Sequence, residues 1–195
     1  MLEFRKLALG PHDNNVYVVV CDRTKESVVV DASHDAAQIA EAAAGTRVQA
    51  ILLTHGDRDH VDALQDLRTR LAVPVAVHPA DAPDLPAPPD RELADGETIR
   101  VGDGVLRVLH TPGHTPGSVC FYAAAEATLL AGDTLFPGGP GATRGDPERF
   151  AQIIASIQEK LFALPDETAV RPGHGADTTI GAERPHLQEW IDRGW

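Results

Sequence analysis

Cysteine is scarce in this chain, which has two among 195 residues, Cys21 and Cys120. Each sits inside an apolar, strand-like run, so buried free thiols are expected and no disulfide framework is implied. Long apolar runs are also missing. None approaches the roughly 18 to 20 residues that a membrane span needs. The opening Met1-Leu2-Glu3-Phe4-Arg5 lacks a signal-peptide pattern, so the expected address is the cytoplasm. Positive charge is in deficit: 17 Lys and Arg against 29 Asp and Glu leave a net charge of −12. That balance argues against broad contact with nucleic acid, whose phosphates require clustered basic side chains. It is neutral about a small-molecule substrate, because a bound metal ion reverses the local field. No repeat of fixed period and no linker divides the sequence, and one domain over residues 1–195 is expected.

What is present reads as a mixture of strands and helices. Val16 to Val20 and Ser27 to Val30 are β-branched runs, the second closed by Asp31. Asp35 to Ala44 has helical spacing and stops at Gly45. Val48 to Leu53 suits a strand buried on both faces, and Val61 to Leu71 returns to helical spacing. Pro74 to Val77 is a further strand, and the proline-rich Asp81 to Arg91 is expected to be a surface loop. Four strands are expected at 97–101, 105–109, 119–122 and 127–130. The glycine-rich 137–145 is expected to be irregular. Pro147 to Leu164 has proline in its first turn and Phe150, Ile153, Ile154, Ile157 and Leu161 on one face, which predicts a helix. A strand at 168–170 and a short helix at 185–190 complete the reading. Two β-layers covered outside by helices would accommodate this order.

The chemistry-bearing residues are unevenly spread. His55, Asp57, Asp59 and His60 lie within six residues, directly after a predicted strand. His110 and His114 share the segment His110-Thr111-Pro112-Gly113-His114-Thr115-Pro116-Gly117-Ser118. Asp133 follows the strand ending near Leu130, and His174 follows the one ending at Val170. Each group sits in a loop just after a strand, where a sheet brings loop ends to one edge. Imidazoles and carboxylates are the ligands that zinc, iron and manganese take from proteins. His12, His34, His78 and His186, taken singly, read as ordinary surface or satisfied side chains.

Thr54-His55-x-Asp57-x-Asp59-His60, the His110 to Ser118 turn, Gly132-Asp133-Thr134-Leu135-Phe136 and Pro172-Gly173-His174-Gly175 occur in order along nearly the whole chain. In these the chain resembles the metallo-β-lactamase superfamily, and within it the glyoxalase II-like thioester hydrolases. The resemblance implies an α/β, four-layer αββα sandwich with the metal site at one edge of the two sheets. It implies two metal ions, zinc by default. Carried over by position, one site takes His55, Asp57, His114 and Asp133, and the other takes Asp59, His60, His174 and the shared Asp133. Asp31 matches an aspartate that orients a ligand imidazole in the family.

The family motif has histidine where this chain has Asp57. Three arrangements stay open. Asp57 ligates through oxygen, keeping two ions and favouring iron or manganese at its site. Alternatively it falls short and a single ion remains at the other site, on Asp59, His60, His174 and Asp133. The third arrangement is a single iron on His55, His114 and Asp133, the set used by persulfide dioxygenases of the superfamily. For the hydrolase, the resemblance implies that hydroxide generated at the metals attacks a thioester carbonyl, with Asp59 and Asp133 catalytic. Esters and lactones are further candidates, and a binding-only relative is the non-catalytic reading. Arg144 is the cation expected to meet a substrate carboxylate. Glutathione recognition is not expected, since the sequence stops soon after His174 and family members that bind it continue into a basic helical region. β-Lactam hydrolysis is not expected either, because lactamases lack an aspartate at the Asp133 position.

Overall fold

The computed structural model describes residues 1–194; Trp195 lies outside them. Two six-stranded mixed sheets form the centre. In chain order the elements are β1 (Leu2–Leu9), β2 (Asn14–Cys21), β3 (Glu26–Val30), α1 (Ala36–Ala42), β4 (Arg47–Leu52), α2 (Arg58–Val61), α3 (Leu64–Leu71), β5 (Val75–Val77) and β6 (Arg91–Glu92). Then come β7 (Thr98–Val101), β8 (Gly104–His110), β9 (Val119–Ala123), β10 (Thr128–Gly132), β11 (Leu135–Phe136), β12 (Gly139–Pro140), α4 (Pro147–Ser156), β13 (Ala169–Pro172), β14 (Thr178–Thr179), α5 (Ile180–Glu183) and α6 (Leu187–Arg193). The first sheet runs β1-β2-β3-β4-β5-β6 and the second β14-β13-β10-β9-β8-β7.

Alternation of side chains explains the layering. Tyr17, Val19, Cys21, Val28, Val30 and Leu52 point from the first sheet to meet Val101, Leu106, Val108, Val119, Phe121 and Leu130 of the second. The opposite faces of the same strands pack Val16, Val18, Val20 and Ile51 under Ile39, Leu64 and Leu67 of the first-sheet helices. Cys120, Leu129 and Val170 pack under Ile153, Ile157, Leu161, Ile180 and Trp190 on the other side. Strands buried on both faces read as continuous apolar runs, as β2 and β10 do. The result is the four-layer αββα sandwich.

Several boundaries differ from the expectations above, each for a physical reason. β1 was not expected: Glu3, Arg5 and Lys6 break its apolar pattern, which an edge strand tolerates. β4 is buried on both faces only from Ile51, since Gln49 is exposed. The helical stretch after the first motif splits into α2 and α3, so the motif itself begins a helix at Arg58. Pro147 starts α4 under an Asp146 cap that accepts from the backbone N–H of Glu148 and Arg149. Regular α geometry ends at Ser156, and Ile157–Leu161 continues as a π-helical turn. Gly139–Pro140 pairs with Leu135–Phe136, so part of the glycine-rich loop is a small hairpin. The last helical segment begins earlier than expected, at Ile180.

Strand direction places the chemistry. β3 and β4 are parallel neighbours, as are β10 and β13. β8 is antiparallel to β9, which is antiparallel to β10, so β8, β10 and β13 run the same way. The loops after these strands therefore emerge at one edge. A bond from the Val119 N–H to the Thr54 carbonyl, 2.8 Å long, stitches the two sheets together there.

Candidate metal centre

All seven residues expected to bind metal meet at that edge. Their donor atoms form three overlapping groups, His55–Asp57–His114, His55–His60–Asp133 and Asp59–His60–His174, with the atoms of each group within 4.8 Å of one another. Asp133 sits between the outer two. Its Oδ1 lies 3.3 Å from His60 Nε2, and its Oδ2 lies 3.4 Å from His174 Nε2 and 3.7 Å from His114 Nε2. The close approach depends on Gly173, where an added Cβ would overlap both Asp133 Oδ1 and the His60 ring.

Each imidazole is fixed through its outer nitrogen. His60 Nδ1 donates to Asp31 Oδ2 at 2.9 Å. His114 Nδ1 donates to the Ala142 carbonyl at 2.8 Å, and His174 Nδ1 to the His12 carbonyl at 2.9 Å. Thr54 Oγ1 donates its proton to Asp31 Oδ2 at 2.8 Å, so it accepts from His55 Nδ1, 2.9 Å away. Carbonyls and carboxylates only accept, so every Nδ1 carries the hydrogen and every neutral Nε2 turns a bare lone pair inward. His60 Nε2 and His174 Nε2 face each other at 3.1 Å. Two lone pairs at that distance repel unless a cation or proton lies between them. His55 Nε2, His114 Nε2 and Asp133 Oδ1 are buried with no aligned hydrogen-bond partner. Such orphaned atoms are costly in a protein interior, and a cation among them satisfies all of them at once. The residues fit a metal.

Asp31 does more than touch one ligand. Its carboxylate also accepts from the Thr54 N–H at 2.7 Å, so it supports His60 directly and His55 through Thr54. Its backbone sits at φ 65°, in the left-handed region that aspartate enters more readily than most residues. Asp57 occupies the N-cap position of α2 yet its side chain makes no capping bond. It turns instead to His114 Nε2, 3.1 Å away, and to Arg144, whose Nη2 reaches both its oxygens at 2.9 and 2.8 Å. The guanidinium expected for a substrate is thus set against Asp57.

The electrostatics follow from these contacts. Burial, reinforced by the charge of His60, holds the His55 pKa well below the usual histidine value. Burial also works against a charge on His60, but its contacts with Asp133 and Asp31 raise its pKa well above that value. Asp133 is likewise buried, and contacts with His174 and His60 hold it well below the usual carboxylate range. The contact with His114, opposed by burial and aided by Arg144, lowers Asp57.

Some supporting residues were not anticipated. Asp81, expected in a surface loop, is fully buried. It accepts from the N–H of Gly56 at 2.9 Å, the hydroxyl of Thr115 at 2.6 Å and the N–H of Gly117 at 2.6 Å. It therefore ties the loop of His55 to the loop of His114. Gly117 is needed there, because a Cβ would run into the Asp81 carboxylate. Asn14 Nδ2 donates to Asp59 Oδ2 at 2.9 Å. Asn15 and Tyr17 both donate to the Pro172 carbonyl, at 2.9 and 2.8 Å, and so anchor the loop of His174. His110 stays out of the cluster and stacks on His78 with ring centroids 3.9 Å apart. Two open grooves border the centre on either side of Arg58. One, of about 450 Å³, is lined by Asp57, Asp62, Gln65 and Pro86; the other, of about 550 Å³, by His12, His34, Asp59 and Asp62.

Known proteins are similar to this chain in sequence and fold. Residues 9–174 match the family model of the metallo-β-lactamase superfamily. A protein of Bacillus subtilis named probable metallo-hydrolase YqgX is 32% identical over 94% of this chain and 95% of its own. A hydroxyacylglutathione hydrolase of Cereibacter sphaeroides is 38% identical over 83% of this chain, but that match covers 62% of the relative. Among solved structures, the BLEG-1 B3 metallo-β-lactamase superposes with a TM-score of 0.86 at 34% identity, covering 95% of this chain and 98% of that one. TTHA1623 in a di-iron-bound form gives 0.80 at 34% identity, covering 92% and 96%. ETHE1 from Myxococcus xanthus gives 0.86 at 27% identity, covering 98% and 89%. The chain belongs to the metallo-β-lactamase superfamily.

Proposed function

We propose that this protein is a metal-dependent hydrolase that holds two ions and cleaves thioesters of a small thiol. The observation that carries the reading is the set of four imidazoles, each with Nδ1 committed outward and Nε2 turned toward three carboxylates. His55, Asp57 and His114 would hold one ion, Asp59, His60 and His174 the other, and Asp133 would bridge them. This nitrogen and oxygen donor set accepts zinc, iron or manganese, and the TTHA1623 neighbour carries two irons. Bound there, the ions would supply an activated water and polarise a carbonyl oxygen.

The chain's own residues account for the rest. Asp31 and Thr54 keep His55 and His60 in one tautomer and one orientation. Asp59, about one-third exposed and steadied by Asn14, lines a groove in which it faces an incoming substrate. Apart from Arg144, whose guanidinium keeps its proton, the groups facing the centre would all serve as ligands, which suits a leaving group that departs without a proton donor. A thiolate does so, because a thiol is far more acidic than an alcohol or amine. The hydroxyacylglutathione hydrolase and probable metallo-hydrolase names of two relatives support this reading. A single-iron oxygenase on His55, His114 and Asp133 would leave the equally well pinned Asp59–His60–His174 trio without a purpose.

Metal analysis of purified protein combined with turnover assays tests the proposal. The panel is thioesters of small thiols, esters, lactones and β-lactams, the last because BLEG-1 carries the lactamase name. Two ions per chain with preferred turnover of thioesters are expected. One iron per chain, with oxygen consumed on a persulfide and no hydrolysis, would overturn it.

A further inference from the structure

Aspartate at a helix N-cap ordinarily accepts a hydrogen bond from the N–H two or three residues on. Asp57 begins α2 in extended conformation, at φ −62° and ψ 140°, and forgoes that bond. Its carboxylate is drawn the other way by Arg144, whose Nη2 bonds both oxygens. Arg144 itself is held at φ 59°, followed by Gly145 at φ 74°. That left-handed pair, unusual for a residue with a side chain, delivers the guanidinium back over the centre. Two residues earlier in the same loop, the Ala142 carbonyl fixes His114 Nδ1 at 2.8 Å. One loop thus orients two of the three side chains of the His55–Asp57–His114 trio.

We propose that Arg144 is a positioning residue that keeps Asp57 out of its capping position and aimed at the His55–His114 pair, so that this trio holds its ion only while the guanidinium is in place. The inference rests on the two-ion reading above. It assigns Arg144 to the metal site and not to a substrate carboxylate. The alternative is an exposed ion pair of little consequence, as many are. Charge alone predicts the opposite sign: removing a cation next to the site would tighten the binding of a divalent ion.

The test is a competition titration of metal-depleted full-length protein with zinc against a chromophoric chelator, which yields two dissociation constants. In Arg144→Gln, one ion should bind about tenfold more weakly while the other is unchanged, within the range for loss of a residue that orients a ligand. Arg144→Lys should recover part of the loss, and in an Asp57→His background Arg144→Gln should change nothing. A crystal structure of Arg144→Gln should show Asp57 accepting from the Asp59 N–H. Matching far-UV circular dichroism and melting curves establish that the variants fold. Two ions in the parent with unchanged or tighter binding in Arg144→Gln would overturn the proposal alone. A parent that binds fewer than two ions would overturn the two-ion reading and this proposal with it.

Discussion

The two halves of the centre are supported very differently. Around Asp59, His60 and His174, each side chain is held by a partner from the first sheet or its turns: the buried Asn14 and Asp31 for the first two, and the carbonyl of the exposed His12 for His174. Around His55, Asp57 and His114, the imidazoles are held as firmly, by Thr54 and the Ala142 carbonyl, but Asp57 leans on Arg144, whose side chain is 60% exposed. Buried support is rigid and costly to remove, whereas exposed support is weak and easily changed. The comparison teaches that one half is committed to its geometry and the other is open to tuning.

The largest effect should come from the residue the halves share. Asp133→Ala removes the carboxylate that approaches His60, His114 and His174. Affinity for both ions should fall by more than the 10- to 100-fold typical of losing a supporting residue, and hydrolysis should vanish with it. Elemental analysis after gel filtration checks this. Retention of either ion would show that the halves are independent.

Asp31 is next, because it serves both halves from one position. Asp31→Asn keeps the shape but turns one of its accepting oxygens into a donor, against the three hydrogen bonds it now accepts. A buried polar mismatch of this kind costs about 1–3 kcal/mol, more where charge is involved. Both zinc constants should weaken, by about 10- to 100-fold. Weakening of one alone would mean that Thr54 does not relay the effect to His55.

How much of this was legible beforehand depends on how local each cause is. His55, Asp59, His60, His114, Asp133 and His174 were readable because ligand types follow predicted strands, and strand direction then gathers them at one edge. Asp31 was readable only through the family resemblance, which implies an aspartate there that orients a ligand imidazole. Asp81 was not: within a proline-rich stretch its carboxylate looks like that of any loop acid. Its burial comes from Gly56, Thr115 and Gly117, and two of these partners lie more than thirty residues away. Asn14, Asn15 and Tyr17 open β2 with no motif of their own; Asn14 acts because Asp59 of α2 lies beside it, and Asn15 and Tyr17 because β13 ends beside them. The π-helical turn after α4 keeps its apolar residues at helical spacing, so periodicity hides it. Arg144 and Asp57 were each singled out, but not their pairing, because the two lie 87 residues apart and an aspartate at that position normally caps its own helix.

Asp81→Asn separates the halves more sharply. Its three bonds join the loops of His55 and His114 and do not reach Asp59, His60 or His174 directly. Melting experiments should show a loss of about 1–3 kcal/mol for the unsatisfied buried donors. The weaker of the two zinc constants in this variant should be the one that Arg144→Gln also affects. An equal shift of both constants would make Asp81 a general strut.

The smallest effect should fall on the committed half, and its size measures that commitment. Asn14→Ala removes the 2.9 Å hydrogen bond to Asp59 Oδ2 and a longer one, 3.2 Å, to the Asp59 carbonyl. A single bond to a charged group is worth about 1.5–3 kcal/mol when it is lost outright, but Asp59 is partly exposed and water recovers much of that. The expectation is a fewfold weakening of the ion that Arg144→Gln leaves alone, with the other ion untouched. Thioester turnover should drop by a similar factor, mainly in kcat, because Asp59 is expected to face the substrate. Should Asn14→Ala cost more than Arg144→Gln in the same titration, buried and exposed supports would carry comparable weight. The contrast between the two halves would then lie in appearance and not in energy.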